Sequence, residues 1–256
     1  MKKSSRKLFV RFFARKKFQI LFKKLHWLSL RGMNYGGGHS PSDSGEIYFL
    51  NHIKKSTNAQ ITIFDVGANI GQYALLANKI FESKCLIYSF EPVKLSYSAL
   101  IDNIKSHRNI IGIEKGIGEL IASSKIFYNG SKSVQSSLIE DEFSKHSEII
   151  ELTTIDDFIR ENNIKKVNVL KLDVEGYEYK ALIGAKNNLN NIDYIQFEFG
   201  NKQVTSRNFL IDFIKYLDDF KIYRLIQDGL IEIDTNPINE IFQTSNYVAI
   251  NKNILN

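Results

Sequence analysis

The sequence predicts a doubly wound α/β domain behind a basic N-terminal helical extension. Short apolar, β-branched segments alternate with segments of helical length, as in parallel strands joined by crossover helices. Two strands follow each other near the C-terminus without an intervening helix, which predicts an antiparallel strand at one edge. Together these patterns indicate a Rossmann-like sheet of about seven strands. We expect residues 1–45 to form the helical extension with a Gly/Ser-rich loop, and residues 46–256 the α/β domain.

The individual elements follow from local signals. A proline at position 92 suits the first turn of a helix because its φ is already fixed near the helical value. Thr154 and Asp157 are spaced as in a capping box. A polar Ser/Lys stretch, flanked by two strands, interrupts the alternation between residues 122 and 153. The predicted strands are 61–66, 85–90, 109–114, 125–129, 149–153, 166–173, 192–199, 223–233 and 247–250, and the predicted helices are 18–28, 46–54, 71–81, 92–106, 154–162, 176–189 and 207–219.

The positive charge is concentrated at the N-terminus. Residues 1–28 contain ten Lys or Arg and no Asp or Glu, and removing these ten from 34 leaves 24 basic against 28 acidic residues. The remaining chain therefore has a formal charge of −4, which argues against nucleic acid as a specific partner. Apolar residues from Phe18 to Leu28 repeat at intervals of three and four, so this segment is predicted to be an amphipathic helix. It would either pack on the domain or contact a membrane surface.

Location and redox state follow from what the sequence lacks. No stretch approaches the ~18 consecutive apolar residues of a spanning helix. Basic residues also interrupt each apolar run near the N-terminus before a signal-peptide core can form. The single cysteine, Cys85, cannot form an internal disulfide. We therefore expect a cytoplasmic protein that residues 1–28 could hold at the periphery of a membrane.

A glycine-containing turn in FDVGANIGQY (64–73) follows the first predicted strand, where doubly wound folds bind cofactors. A P-loop is excluded, because Gly71 is followed by Gln72 and not by the lysine that neutralises phosphates. A dinucleotide is disfavoured, because Asn69 stands where a middle glycine lets the backbone approach a pyrophosphate. S-adenosylmethionine carries no phosphate and fits this turn best.

Carboxylates at neighbouring strand ends match the chemistry of S-adenosylmethionine. Asp65 is placed for the ammonium of its amino-acid head, and Glu91, after the second strand, for its two ribose hydroxyls. Gly67 and Gly71 keep the turn narrow. Further along, Asp173 and Glu175 follow the strand 166–173, so at least one of them is expected to face the reacting methyl group. The alternative for Glu175 is a cap at the N-terminus of the next helix.

Four motifs carry a resemblance to a known family: FDVGANIGQY (64–73), FEP (90–92), LTTIDDF (152–158) and LKLDVEGYE (170–178). Weaker matches are NYGG (34–37), QSSL (135–138) and FEF (197–199). With these motifs the chain resembles the FkbM family of S-adenosylmethionine-dependent methyltransferases. The resemblance implies O-methylation of hydroxyls on sugars, glycans or polyketide-type natural products. It implies that the cofactor contacts Asp65, Gly67, Asn69, Gly71 and Glu91, and that Asp173 and Glu175 border the active site.

Methyl transfer is an in-line displacement at an activated carbon, so the protein must mainly align the acceptor oxygen and exclude water. A base near the acceptor hydroxyl would assist, and the candidates are Asp173, Glu175, His39 and His146. A divalent metal held by Asp173, Glu175 and Glu198 could instead lower the pKa of the hydroxyl. Three carboxylates permit such a metal without requiring it.

Two other acceptor chemistries are disfavoured. Methylation of base amino groups commonly uses two adjacent prolines before an aromatic residue, whereas Pro41, Pro92 and Pro237 are far apart. Methylation of pyrimidine carbon uses a cysteine nucleophile, and Cys85 begins the second strand, far from the predicted reaction centre. The expected acceptor is therefore a small molecule or a glycan.

Two alternatives of other classes stay open at this point. The first is an RNA methyltransferase that holds phosphates with residues 1–28, which predicts an affinity that falls steeply with salt. The second is a non-catalytic, membrane-associated module with a vestigial cofactor fold, which predicts vesicle binding without S-adenosylmethionine binding.

Overall fold

The computed structural model describes residues 3–36, 41–57, 59–128, 136–137 and 146–255. Its α-helices are α1 (Lys3–Phe13), α2 (Gln19–Gly32), α3 (Pro41–Ser44), α4 (Glu46–Ser56), α5 (Gln72–Ile80), α6 (Lys94–Ile104), α7 (Ile155–Glu161), α8 (Glu178–Ile183), α9 (Lys202–Ser206) and α10 (Leu210–Tyr216). Its strands are β1 (Ile61–Val66), β2 (Cys85–Phe90), β3 (Ile110–Ile113), β4 (Gly116–Ile117), β5 (Ala122–Tyr128), β6 (Ser136–Ser137), β7 (His146–Thr153), β8 (Val167–Leu172), β9 (Ile192–Phe199), β10 (Phe220–Ile226), β11 (Gly229–Glu232) and β12 (Ser245–Asn251).

The main sheet has eight described strands in the order β11-β10-β12-β9-β8-β1-β2-β3. The run from β3 to β9 is parallel throughout. Antiparallel pairing is confined to the other end, where β12, β10 and β11 follow β9 and β11 forms the edge. The predicted fold class is confirmed. The sheet has eight strands and not about seven, because the predicted strand 223–233 is a hairpin of β10 and β11.

Helices cover both faces of this sheet. One apolar cluster joins α4, α5 and α6 to side chains such as Ile63, and the other joins α7, α8 and α10 to side chains such as Phe64. Neighbouring residues of β1 enter different clusters because successive side chains of a strand point to opposite faces. Because β3, β2, β1, β8 and β9 are parallel, their carboxyl ends lie at one common edge of the sheet, where the loops that follow them meet.

Most boundaries agree with the sequence prediction, and β1, β2 and β9 agree at both ends. The helix expected from residue 92 begins only at Lys94, because its N-cap Val93 is extended, with φ −79° and ψ 118°. The helix expected over 176–189 is shorter, since α8 ends at Ile183. At its C-cap, a Cβ on Gly184 would lie 2.1 Å from the carbonyl oxygen of Gly118, so the backbones approach closely there. Thr154 caps α7 as predicted, accepting a hydrogen bond from the backbone N–H of Asp157.

The segment after β3 forms a second sheet in the order β4-β7-β5-β6. Its two longest strands, β5 and β7, are antiparallel and confirm the two strands expected between residues 122 and 153. Most residues between these strands lie outside the described part of the chain. Of the QSSL match, only Ser136 and Ser137 are described, as strand β6.

At the N-terminus, α1 and α2 are joined by a single turn of 3-10 helix, Lys16–Phe18. The predicted helix 18–28 is therefore confirmed as part of α2, which continues to Gly32. Among the described helices, none combines the length and the apolar character needed to cross a bilayer.

Candidate active site

The carboxyl edge of the parallel strands brings together residues that are far apart in sequence. The backbone N–H of Asn69, in the turn after β1, donates to Glu91, just after β2, over 2.9 Å. The backbone N–H of Asp173, just after β8, donates to the carbonyl of Val66 over 3.0 Å. The turn 67–71, the carboxylate after β2 and the acidic loop after β8 therefore adjoin one another, as the order of the motifs predicts.

The turn between β1 and α5 has three residues with positive φ: Gly67 at 80°, Asn69 at 54° and Gly71 at 87°. The backbone N–H groups of Gly67 and Ala68 both donate to the carbonyl of Phe90, over 3.0 and 2.9 Å. This fixes the turn directly over the end of β2. Gly71 is the N-cap of α5, so the helix begins as the turn ends.

Gly67 is also the residue at which the turn 67–71 closely approaches the loop after β8. A Cβ at this position would lie 1.8 Å from the carbonyl oxygen of Asp173, a backbone atom that cannot rotate away. Both the positive φ and the close approach therefore require glycine here.

Gly67→Ala is expected to lower the free energy of unfolding by about 2 kcal/mol or more, through left-handed strain and steric overlap. The matched control is Gly32→Ala at the end of α2, where an added Cβ would meet nothing within 4 Å. Urea unfolding of both variants measures the difference. Equal stability of the two variants would contradict the described contact between Gly67 and Asp173.

Glu91 is buried beside the turn and accepts two backbone hydrogen bonds. Its Oε2 accepts from the N–H of Asn69 and its Oε1 from the N–H of Val93, each over 2.9 Å. Burial raises the pKa of Glu91 to about 7, and the two N–H donors limit that rise. In the described part of the chain, the side-chain oxygen of Asn69 is buried without a hydrogen-bond partner. A buried acceptor of this kind favours a donor supplied by a ligand.

A polar row crosses the otherwise apolar face beneath the turn. Ser89, Asp65, Lys171 and Gln196 occupy matching register positions on β2, β1, β8 and β9. The buried amine of Lys171 lies 3.6 Å from Asp65 Oδ1 and 3.1 Å from Asp173 Oδ2. It also lies 5.0 Å from the ring centroid of Tyr73. Lys171 thus links the strand below the cofactor turn to the acidic loop.

Lys171 lies within the motif LKLDVEGYE, and its role was not predicted from the sequence. The available signal was a lysine in an otherwise apolar strand that is buried on both faces. Desolvation disfavours its charge, but Asp173 and Asp65 outweigh that effect and raise the pKa of Lys171 above its ordinary value. Lys171 is therefore a buried cation held by two carboxylates.

Asp65 is fully buried, and its side chain has no hydrogen bond among the described residues. Burial raises the pKa of Asp65 to about 6, while the nearby ammonium of Lys171 opposes the rise. In this arrangement Lys171 balances its charge from within the chain. A direct contact between Asp65 and a cofactor ammonium stays a prediction.

The loop after β8 is held by Glu178, a residue that the sequence prediction did not single out. Glu178 Oε1 accepts from the N–H groups of Val174 and Gly176, over 3.0 and 3.2 Å, and its Oε2 accepts from Gln203 Nε2 over 2.7 Å. The N-cap of α8 is Tyr177, so the alternative in which Glu175 caps this helix is wrong. A fully buried carboxylate therefore accepts hydrogen bonds from two N–H groups of this loop.

The other carboxylates at this edge differ in exposure. Asp173 has 42% of its side chain exposed, whereas Glu175 is largely buried, with Lys202 Nζ at 3.7 Å. Burial is the main cause that raises the pKa of Glu175, and the negative charge of Asp173 is the second. Burial and then the charges of Asp173 and Glu175 raise the pKa of Glu198 well above its usual value. Asp173 is therefore more exposed to solvent than Glu175 at this edge.

A model of the methyltransferase FkbM domain matches residues 65–224. The chain belongs to the FkbM methyltransferase family. The matched region of this FkbM chain begins at Asp65 and contains the predicted cofactor residues together with Asp173 and Glu175, but not the candidate base His39.

Two curated relatives show similarity over part of their length. The hexuronic acid methyltransferase AglP of Haloferax volcanii is 26% identical over 142 residues, which cover 53% of this chain and 54% of AglP. Methyltransferase 1 of Beauveria bassiana is 28% identical over 144 residues, which cover 48% of this chain and 57% of that protein. The FkbM chain thus spans little more than half the length of the curated relatives it matches.

Among solved structures, fibrillarin of Aeropyrum pernix in complex with S-adenosyl-L-methionine resembles this FkbM chain with a TM-score of 0.44 and 14% identity. The superposition covers 79% of this chain and 74% of that one.

Two other sequence-based suggestions for the FkbM site lack support. In the described residues, no group of three or more His, Cys, Asp or Glu is placed to hold a metal ion, so a metal on Asp173, Glu175 and Glu198 gains nothing from the geometry. His146 begins β7 and stacks on Tyr128, with ring centroids 5.6 Å apart. His39 lies outside the described residues.

A separate cleft of about 740 Å³ lies at the opposite edge of the sheet, where β1 and β8 begin. Its polar groups bind one another: Asn168 accepts from the N–H of Thr62 and donates to Asp193, which also pairs with Lys166. This cleft has no link to the residues of the FkbM site.

Proposed function

We propose that this protein transfers the methyl group of S-adenosylmethionine to a hydroxyl oxygen of a sugar, in a glycan, glycolipid precursor or natural product. Membership of the FkbM family supports methyl transfer, and the relative AglP, a hexuronic acid methyltransferase, supports a sugar acceptor. The observation that carries the proposal is the turn 67–71 held over β2 with Glu91 beside it.

The residues around the turn fit S-adenosylmethionine. Each oxygen of Glu91 accepts one backbone hydrogen bond and has capacity for a second, from the two ribose hydroxyls. The buried side-chain oxygen of Asn69 needs a donor, which the same ligand can provide. Bound there, S-adenosylmethionine would supply a methyl group that is activated by its cationic sulfur, and the sulfur would leave as S-adenosylhomocysteine when the acceptor oxygen takes the methyl group.

The residues that would act on the acceptor follow β8. Asp173 is half-exposed at the edge of the site, and Lys171 holds its carboxylate from below over 3.1 Å. We assign to Asp173 the acceptance of the hydroxyl proton, with Glu175 on the same loop as the second candidate.

Calorimetry with S-adenosylmethionine and S-adenosylhomocysteine tests the cofactor assignment. Wild-type protein should bind both, and Glu91→Gln should weaken binding by roughly tenfold, since it removes charge-assisted hydrogen bonds to the ribose. Glu151→Gln, at an exposed position of β7, is the matched control and should bind like wild type. Absence of binding to wild type would overturn the proposal and favour a non-catalytic module.

The same titrations should depend on pH. In the protein without a bound ligand, Glu91 has a pKa of about 7. Ribose hydroxyls that donate to its ionised form would lower this pKa in the complex. Binding then releases a proton below pH ~7, so affinity should rise with pH up to about 7 and level off above it. Glu91→Gln should abolish this slope. A slope that persists in the variant would assign it to another group.

The acceptor class is tested with two aryl glycosides, p-nitrophenyl β-D-glucuronide and p-nitrophenyl β-D-glucoside. Formation of S-adenosylhomocysteine together with a methylated glycoside stable to mild base would support transfer to a hydroxyl. A base-labile product from the glucuronide alone would show transfer to the carboxylate and would overturn the hydroxyl assignment. Transfer to a homopolymeric RNA and to neither glycoside would favour the RNA alternative.

A further inference from the structure

The N-terminal arm, residues 3–32, exposes an unusual amount of apolar surface. Ten of its large apolar side chains are between 39% and 71% exposed, while the only buried residue of α2 is Leu30. The alternative in which α2 packs its apolar stripe on the domain is therefore not what the structure contains. The exposed residues are Leu8, Phe9, Val10, Phe12, Phe13, Ile20, Leu21, Leu25, Trp27 and Leu28.

The two helices of the arm are joined by aromatic contacts. The ring centroids of Phe9 and Phe13 are 4.8 Å apart, and those of Phe13 and Phe18 are 5.3 Å apart. Phe22 of α2 lies 6.1 Å from Phe9 and 6.4 Å from Phe13. These contacts order α1 against α2, so the exposed side chains belong to a structured helical pair.

The base of the arm is fixed to the body of the protein. The carbonyl of Met33 accepts a hydrogen bond from Arg224 on β10, whose guanidinium also lies 4.4 Å from the ring centroid of Tyr35. The N–H of Gly36 donates to the carbonyl of Thr244 over 2.7 Å. A partner that binds the arm is therefore also linked to the body of the protein.

The charge of the arm is of one sign. Residues 1–28 carry ten Lys or Arg without an acidic residue, and none of the ion pairs in the described part of the chain involves the arm. Lys7 and Arg11 lie on α1 opposite its exposed Phe9 and Phe13. An apolar face beside concentrated positive charge is the combination that binds in the headgroup region of an anionic bilayer.

We propose that the N-terminal arm binds the surface of an anionic membrane, with its apolar side chains at the acyl boundary and its Lys and Arg side chains against anionic lipid headgroups. Nucleic acid would pair with the cations but would leave the exposed leucines in water. A second arm would bury the apolar side chains but would bring together ten like charges from each copy. Only a lipid surface satisfies both features, and the proposal does not depend on the proposed function.

The only tryptophan of the chain is Trp27, which is 60% exposed on α2 and reports directly on this contact. Phosphatidylcholine vesicles containing phosphatidylglycerol should shift its emission to shorter wavelength, and brominated acyl chains should quench it. Vesicles of phosphatidylcholine alone should produce much smaller changes, because the electrostatic attraction is missing. Co-sedimentation measures the affinity of the full-length protein for each vesicle.

Matched variants separate the two contributions. Replacing Leu21, Leu25 and Leu28 by Ser should weaken vesicle binding by at least about tenfold, because apolar burial drives insertion. Lys16→Gln, Lys17→Gln and Lys23→Gln together should weaken binding by a similar factor and remove most of its salt dependence. Ile238→Ser, on the body and more exposed than any of these leucines, is the control and should bind like wild type.

The proposal is overturned if anionic vesicles leave Trp27 emission unchanged, or if the leucine variant sediments with them as wild type does. Arm-dependent dimerisation without vesicle binding would show that a second copy occupies the surface. Salt-sensitive binding to poly-U without vesicle binding would show the same for nucleic acid. Circular dichroism and S-adenosylmethionine titration of each variant establish that the body stays folded.

Discussion

Lys171→Met is expected to lower the free energy of unfolding by about 3–5 kcal/mol, the range for removal of one partner from a buried ion pair. Lys171 is buried between Asp65 and Asp173, and methionine would fill its volume without its charge. The buried carboxylate of Asp65 would then lack its nearby cation. Urea unfolding at pH ~7 measures the loss. Lys54→Met breaks the exposed pair with Glu82 and should change stability by less than about 1 kcal/mol.

The physical cause of this loss can be checked by pH and by a second substitution. Lys171 opposes the rise in the pKa of Asp65, so the variant should have an Asp65 pKa above the present value of about 6. A folded-state pKa above the unfolded one means that the folded state binds more protons, and variant and wild type differ only between their two Asp65 pKa values, so the deficit of the variant should shrink as pH falls toward about 6 and stay level below it. Adding Asp65→Asn should recover part of the lost stability. A deficit unchanged by either would assign it to packing.

Asp173→Asn is expected to reduce the rate of methyl transfer by roughly 10²–10⁴-fold, the range for loss of a general base. The substitution keeps the size of the side chain but removes the proton acceptor at the half-exposed edge. The measurement is S-adenosylhomocysteine formation with whichever glycoside is the better acceptor. Affinity for S-adenosylmethionine should change little, because neither Glu91 nor the turn 67–71 is altered.

Glu175→Gln on the same loop is the matched control for Asp173. It should retain most of the rate if Asp173 is the base, and the reverse result would assign the base to Glu175. The stability of Asp173→Asn must be measured alongside, since Lys171 loses one of its two carboxylates. Addition of a chelator to wild type tests the metal alternative, and an unchanged rate is the expected result.

The fold was predictable because its signals are local. The apolar runs of β1, β2 and β9, the Thr154 cap and the glycine turn each depend on a few adjacent residues, and the structure places them as expected. The hairpin of β10 and β11 was missed because the apolar residues on both sides of the turn were assigned to one strand, although Gln227, Asp228 and Gly229 interrupt the apolar run there. Helix α8 ends at Ile183, where Gly184 approaches the backbone of Gly118, a contact that no local pattern indicates.

The candidate site was predictable at its strand ends and not beneath them. Glu91 and Asp173 directly follow apolar strands, so sequence alone places them at the carboxyl edge. The row of Asp65, Lys171 and Gln196 depends on the register between neighbouring strands. Two of these neighbours, β1 and β8, are more than a hundred residues apart in the sequence. Glu178 likewise required knowledge of a hydrogen bond to Gln203. Such contacts arise only when the sheet is assembled.

The close approach of Gly67 to the carbonyl of Asp173 makes the turn 67–71 and the loop after β8, the proposed donor and acceptor loops, mechanically dependent on each other. Neither can shift without displacing the other, and Lys171 adds a second link below them. If binding of one ligand changes the free energy of binding of the other through this contact, the second ligand must change the binding of the first by the same free energy. We therefore expect the proposed donor and acceptor to have a mutual, equal effect on each other's dissociation constants, although the proposed function assigns them to different loops.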